Sequence, residues 1–173
     1  MHYGMQRPPA YDLTLRFNEQ ISAEFALEVL WGHPSLDGPY SGSKPPEKIP
    51  VSAYFSQEFP EGYGYASITG AEPVTCVVAY ELWPDAPAKV LRVSLQASDA
   101  APHLDFVDAW MVELAKWVWR ELPFEVGVVA DSFVSDWTGE GFWPELPLRR
   151  SFGLLWPDPL NYDAEPTWHP PVS

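Results

Sequence analysis

The chain alternates apolar and polar residues between positions 11 and 17, where it reads Tyr-Asp-Leu-Thr-Leu-Arg-Phe. A period of two predicts a half-buried β-strand. The period then becomes helical, with Asn18 as a candidate N-cap and Gly32 and Pro34 as the stop. The apolar positions of this predicted helix are Ile21, Phe25, Val29 and Leu30.

A loop rich in Pro, Gly and Ser, at residues 34–50, separates this helix from four strand-like runs. The runs are residues 51–55, 63–69, 74–82 and 89–96. Pro and Gly between them predict turns, and short connections favour antiparallel neighbours. The run at 74–82 is apolar on both faces and is predicted to be central. The run at 89–96 is predicted to be buried on one face.

A long amphipathic helix is predicted at about residues 100–122, capped by Ser98 or Asp99. Its apolar face comprises Phe106, Val107, Trp110, Met111, Leu114, Trp117 and Val118. A buried strand at 124–130 and a short strand at 152–156 follow.

The element order β-α-β-β-β-β-α-β predicts an α+β fold with a largely antiparallel sheet of five to six strands. Both helices are expected to pack on this sheet. The chain is expected to form a single domain over residues 1–173, with irregular segments at 1–9 and 157–173.

The formal charge is −14, with 24 acidic and ten basic residues. Residues 49–88 contain five acids and 121–148 contain six, and neither stretch contains a base. Such a chain is repelled by nucleic acid and by anionic membranes, and it is steered toward a basic protein partner. The alternative is that the acidity only keeps a Trp-rich chain in solution. The N-terminal residues lack the apolar stretch of a secretion signal, so a cytoplasmic location is expected; a homodimer remains open.

Motifs for catalysis are missing from the sequence. The four histidines lack metal-ligand spacing, and no nucleophile elbow or phosphate-binding loop occurs. We therefore expect no cofactor, no metal site and no enzymatic activity. The best enzyme candidate is the segment 131–145, which places carboxylates among tryptophans after a strand. Paired carboxylates near aromatic rings are used by glycosidases, so a small hydrolase or carbohydrate-active domain is the alternative.

The same segment suits protein recognition, because Trp side chains anchor interfaces and acidic groups steer basic partners. The candidate partner-binding residues are Asp131, Asp136, Trp137, Glu140, Trp143 and Glu145. The alternative is that the aromatic residues of this segment cover one end of the sheet.

The chain combines the strand at 11–17, a helix with Phe25 and Trp31, an antiparallel block, and the Trp-rich stretch 106–119. This arrangement resembles the small acidic α+β immunity proteins of bacterial polymorphic toxin systems. The resemblance covers residues 11–156 in architecture, size and charge. It implies a non-catalytic protein that binds and neutralises a toxin or nuclease domain. A phage-derived structural or assembly module is a further alternative.

Overall fold

The computed structural model describes residues 9–40, 47–51, 63–68, 74–83, 88–131, 151–161 and 163–172. The strands are β1 (Ala10–Ile21), β2 (Leu36–Tyr40), β3 (Tyr63–Ile68), β4 (Val74–Trp83), β5 (Ala88–Gln96), β6 (Val126–Asp131), β7 (Gly153–Trp156) and β8 (Thr167–His169). The helices are α1 (Ala23–Trp31), α2 (Ala97–Ala100) and α3 (Leu104–Glu121), and a 3-10 turn (Ala101–His103) joins α2 to α3.

The strands form one sheet in the order β2-β3-β4-β5-β1-β6-β7-β8, and every neighbouring pair is antiparallel. The predicted α+β class and antiparallel sheet are confirmed. The alternation in β1 places this strand at the middle of the sheet, where Leu13 pairs with Val93 of β5 and Val129 of β6. Eight strands are present rather than five or six, because β2 and β8 lie in segments predicted to be irregular.

The helices α1 and α3 contact each other, and α3 also contacts β1, β3 and β6. The 18 residues of α3 bury one apolar stripe against the core, as their helical period predicts. The buried residues of this helix are Val107, Trp110, Met111, Leu114, Ala115 and Val118. Phe106, predicted on this stripe, is instead 37% exposed, because it lies in the first turn at the edge of the core.

The opposite face of the sheet is also buried at β6, β7 and the adjoining parts of β1 and β5, which corrects the expectation that β1 and β5 are buried on one face only. A second apolar cluster on this face comprises Val126, Val128, Ala130, Phe152 and Leu154. Beside it lie the buried polar side chains Asp12, Thr14 and Arg92. Arg92 Nε donates a hydrogen bond to Thr14 Oγ1 over 3.3 Å. A hydrogen bond of this kind offsets part of the desolvation cost of burying polar groups.

The helix α1 begins later than its sequence pattern predicts. Asn18 lies within β1, and Ser22 is the N-cap instead, since its Oγ accepts a hydrogen bond from Phe25 N at 3.3 Å. Pairing of Ile21 with Ala88 prolongs the strand past Asn18. Residues 18–21, which were predicted to form the first turn of the helix, therefore belong to β1. Phe25, predicted on the apolar face, is 41% exposed.

Close contacts between tryptophans and glycines fix the two strands that were not predicted. A Cβ atom at Gly64 of β3 would lie 2.5 Å from the Trp31 ring and 2.4 Å from Asp37 O of β2. A Cβ atom at Gly153 of β7 would lie 2.0 Å from the ring of Trp168 in β8. The spacing of apolar residues along the chain does not predict such contacts, because they join residues far apart in sequence. The strand predicted at 51–55 lies outside the described residues except for Val51.

In the described part of the chain, no helix is long and apolar enough to cross a membrane. Nor do three His, Cys, Asp or Glu side chains of these residues lie close enough together to hold a metal ion.

Candidate functional site

Of the six candidate partner-binding residues, Asp131 is described, and it is the exposed last residue of β6. The other five, Asp136, Trp137, Glu140, Trp143 and Glu145, lie outside the described residues. The site can therefore be built from the surroundings of Asp131.

Asp131 lies directly opposite Tyr11 of β1, so the two side chains project from the same face of the sheet. The Tyr11 hydroxyl donates a hydrogen bond to Asp108 Oδ1 on the second turn of α3. Asp105, one turn earlier, also acts on the charge of Asp108. We call these four residues, Tyr11, Asp105, Asp108 and Asp131, the acidic end.

The ionisation of the acidic end reflects both burial and like charge. Burial raises the pKa of Asp108; the hydrogen bond from Tyr11 opposes this rise, and the charge of Asp105 adds to it. The pKa of Tyr11 is strongly raised by burial, by its hydrogen bond to Asp108 and by the charges of Asp108 and Asp131. The fold thus holds the carboxyl groups of Asp108 and Asp131 near one half-buried phenol, with Asp105 close to Asp108.

Two apolar side chains border this cluster. Leu104 is 42% exposed, and it lies with Phe106 on either side of Asp105 in the first turn of α3. Acids near a helix N-terminus are stabilised by the helix dipole, which is the structural explanation for Asp105. That explanation does not apply to Asp131, which comes from the sheet. Sequence reasoning missed Tyr11, Asp105 and Asp108, because only the packing of α3 across β1 brings them to Asp131.

The cationic side chains seen in ion pairs lie elsewhere on the described surface. Lys48 Nζ is 3.2 Å from Asp37 Oδ1, and Lys116 Nζ is 3.5 Å from Glu165 Oε1. Lys116 and Arg120 belong to the second half of α3, away from the turn that holds Asp105. The long helix therefore has an acidic start and a more basic end.

A second polar arrangement lies where α1 leads into β2. Ser35 Oγ is 2.7 Å from His33 Nδ1 and accepts a hydrogen bond from Trp110 Nε1 at 2.8 Å. The rings of His33 and Trp117 meet edge to face, with centroids 5.1 Å apart. We call His33, Ser35, Trp110 and Trp117 the His33 corner. The sequence signal for it was a His-Pro-Ser step after a helix stop, facing tryptophans seven residues apart on α3.

A cavity of about 450 Å³ lies beside the His33 corner, between α1, β2 and residues 47–51. Its walls include Trp31, Pro39, Ile49 and Val51, with Glu28 and Lys48 among the polar residues. Another cavity, of about 460 Å³, lies at the β7–β8 end of the sheet and is lined in part by Trp156, Asp158 and His169. Neither cavity contains a residue of the acidic end.

The acidic end is suited to recognition of positive charge. It combines clustered carboxylates, a phenol and exposed apolar side chains, which are the components of a polar interface with anchoring groups. Its position also makes it continuous in sequence with the predicted segment 131–145. No family model, curated protein or solved structure matches this chain.

Proposed function

We propose that this protein binds a basic protein partner through the acidic end and neutralises it without catalysis. The observation that supports the proposal most directly is that Asp108 and Asp131 both act on Tyr11, with Asp105 one turn before Asp108 on α3. With Tyr11, these four residues come from three elements, β1, α3 and β6, so the cluster is a product of the fold rather than of a local run of acids.

Gathering like charges at a partly buried position opposes folding. The raised pKa of Asp108 expresses this, because burial and the charge of Asp105 both disfavour its ionised form. A cationic partner would reverse the penalty by bringing Lys or Arg side chains to the carboxylates. The free energy held in the isolated protein would then favour the complex.

The exposed Leu104 and Phe106 give the surface its second component. Charged groups mainly steer association, whereas buried apolar side chains at an interface slow dissociation. Leu104, Phe106 and the acids around them would thus act at different stages of binding. The predicted segment 131–145 continues from Asp131 and would extend the same surface with Trp137 and Trp143.

We take the type of partner from the resemblance to immunity proteins. A toxin domain that acts as a nuclease has a basic surface because its substrate, nucleic acid, is anionic. An acidic protein that covers such a surface would exclude that substrate by occupying the same charges. The net charge of −14 supports fast, salt-sensitive association with a partner of this kind.

The test uses the product of the gene adjacent to that of this chain as the probe. Co-expression should protect cells from that product, and the purified pair should form a stable complex. Replacing Asp105, Asp108 and Asp131 with Asn should slow association about 10-fold or more and flatten its salt dependence. The matched control replaces Glu19, Glu24 and Glu28 with Gln, since these acids are exposed on β1 and α1.

Equal losses in both triple variants would show that only net charge matters, and would contradict a site at the acidic end. Absence of both complex and protection would contradict the immunity-type function itself.

A further inference from the structure

The hydrogen bonds of the His33 corner define where its protons lie. Ser35 N is 3.1 Å from His33 Nδ1, and a backbone amide can only donate. Nδ1 therefore carries no proton, and His33 is neutral with its proton on Nε2. The Trp110 indole donates to Ser35 Oγ, so the hydroxyl hydrogen of Ser35 is directed to the same Nδ1. Two donors of Ser35 thus share one acceptor on His33.

Protonation of Nδ1 would convert this acceptor into a donor. The amide of Ser35 would then face another N–H group and lose its hydrogen bond. The hydroxyl of Ser35 could still accept from both Nδ1 and Trp110, but only by turning its own hydrogen away. The backbone at Ser35 is therefore the part of the corner that a proton on His33 disturbs most.

Burial and the nearby charge of Glu113 act in opposite directions on the pKa of His33. Burial lowers the pKa of His33, and the negative charge of Glu113 on α3 partly offsets this. On the other elements packed here, Glu28 of α1 is exposed and Asp37 of β2 bonds with Tyr40 and Lys48. Lys116, which neighbours Trp117 on α3, pairs with Glu165. Neutral His33 is thus the form that the surroundings favour.

The backbone at Ser35 holds several elements together. Ser35 O accepts a hydrogen bond from Ser67 N in β3 at 2.8 Å, and His33 O accepts from Leu36 N at 3.0 Å. The same turn follows Trp31 and Gly32, which line the cavity of about 450 Å³. A shift of Ser35 would therefore reach the start of β2 and the wall of that cavity.

We propose that His33 is a proton-sensitive latch, which in its neutral form holds the α1–β2 turn on α3 and β3 and releases this turn when it is protonated in mild acid. The proposal rests on the His33 corner alone and is independent of the acidic end. The released state keeps the sheet and α3, because the core around Leu13 and Met111 does not include His33 or Ser35.

Hydrogen exchange of the amides of residues 33, 35–38 and 40 tests the latch. After correction for intrinsic rates, exchange in the native protein should be roughly 5-fold or more faster at pH 5.5 than at pH 7.5. The variant His33→Asn should remove this acceleration, since the Asn side chain can accept from the amide two residues on and does not titrate. The control His103→Asn, at the 3-10 turn before α3, should exchange like the native protein. Equal acceleration in the native protein and in His33→Asn would overturn the proposal.

A second measurement does not depend on any variant. Nitrogen NMR of the native protein should show His33 as the Nε2–H tautomer at pH 7.5, with a pKa below the ordinary value of histidine. The indole N–H signal of Trp110 should shift with the same midpoint as His33, because both bond to Ser35. An Nδ1–H tautomer for His33 would refute the latch. A Trp110 indole signal that does not change when His33 titrates would refute it as well.

Discussion

The two polar sites on α3 are built from similar parts but differ in charge balance. At the acidic end, a phenol meets carboxyl groups, and the pKa of Asp108 rises because burial and Asp105 disfavour its charge. At the His33 corner, Trp110, Ser35 and His33 form a neutral chain in which each named donor reaches an acceptor. The corner holds secondary structure together, whereas the acidic end brings carboxyl groups close to one another and to a half-buried phenol.

The difference indicates which site stabilises the fold and which one opposes it. A satisfied neutral network in a half-buried position stabilises the fold by about 1 kcal/mol for each hydrogen bond. A cluster of like charges works against the fold, and it is retained more readily where an interaction requires it. Variants at the corner should therefore destabilise the protein, and variants that remove charge from the acidic end should not.

The largest effect is expected from Gly64→Ala, which tests the packing behind the corner. The new Cβ would lie within 2.6 Å of both the Trp31 ring and Asp37 O. The free energy of unfolding should fall by about 3 kcal/mol. The control Gly32→Ala meets nothing closer than 3.2 Å and should change stability by less than about 1 kcal/mol. Urea denaturation of the two variants measures both values, and equal values would show that the close approach does not matter.

A moderate loss is expected from Trp110→Phe, which keeps an aromatic ring but removes the indole donor to Ser35. The hydrogen bond is lost and the smaller phenyl ring leaves part of the space of the indole unfilled. Together these changes should lower the free energy of unfolding by about 1–2 kcal/mol. The same change made in a Ser35→Ala background should cost less, because the partner is already absent. Additive losses in the double-mutant cycle would mean that the Trp110–Ser35 bond contributes little.

The pH dependence of stability should have opposite signs at the two sites. The pKa of His33 is lowered in the folded state, so the unfolded chain binds more protons just below pH 6.5. The stabilisation associated with neutral His33 is fully present above pH 6.5. It is lost as the pH falls from 6.5 through the lowered pKa of His33. The pKa of Asp108 is raised, so its contribution is present below pH 3.8 and is lost as the pH rises through the raised value.

Denaturation of His33→Asn and Asp108→Asn across pH 3–8 separates the two contributions. Each variant should remove the slope in its own window and leave the other unchanged. A slope that persists near pH 6 in His33→Asn would assign that dependence to another group.

The smallest effect is expected from Asp108→Asn at pH 7. The amide oxygen can still accept from Tyr11, while the burial of a charge beside Asp105 is relieved. Stability should rise by up to about 1 kcal/mol. The control Glu113→Gln, at an exposed position on the same helix, should change stability less. A loss of stability in Asp108→Asn would show that the ionised carboxylate is structurally required.

The elements with a clear period were predicted well, and those fixed by tertiary contact were not. The alternation of residues 11–17 correctly gave β1, and the helical stripe of Trp110 and Leu114 correctly gave α3. The strands β2 and β8 were missed because their positions depend on tryptophan rings lying against Gly64 and Gly153. Asp12 and Arg92 were expected on a polar face, and their burial follows from covering the second face of the sheet.

The candidate site was predicted in only one of its described residues, Asp131. The sequence marked this residue as the start of an acidic, Trp-rich segment, but its neighbours Tyr11 and Asp108 are 120 and 23 positions away. Strand pairing brings the first to Asp131, and helix packing brings the second to Tyr11. No local pattern encodes either distance, which is why the acidic end had to be found in the fold.

The order of the sheet also limits how this protein associates with others. Its outer strands in the described chain are β2 and β8. Pro39 lies within β2, and Pro166 and Pro170 flank the three residues of β8. Proline lacks the amide hydrogen that a new strand would need, and Ile49 N already bonds to Pro39 O. Both margins of the described sheet are therefore poor templates for strand addition. Growth into fibrils by strand pairing is disfavoured, and a partner would have to be recognised by side chains rather than by backbone pairing.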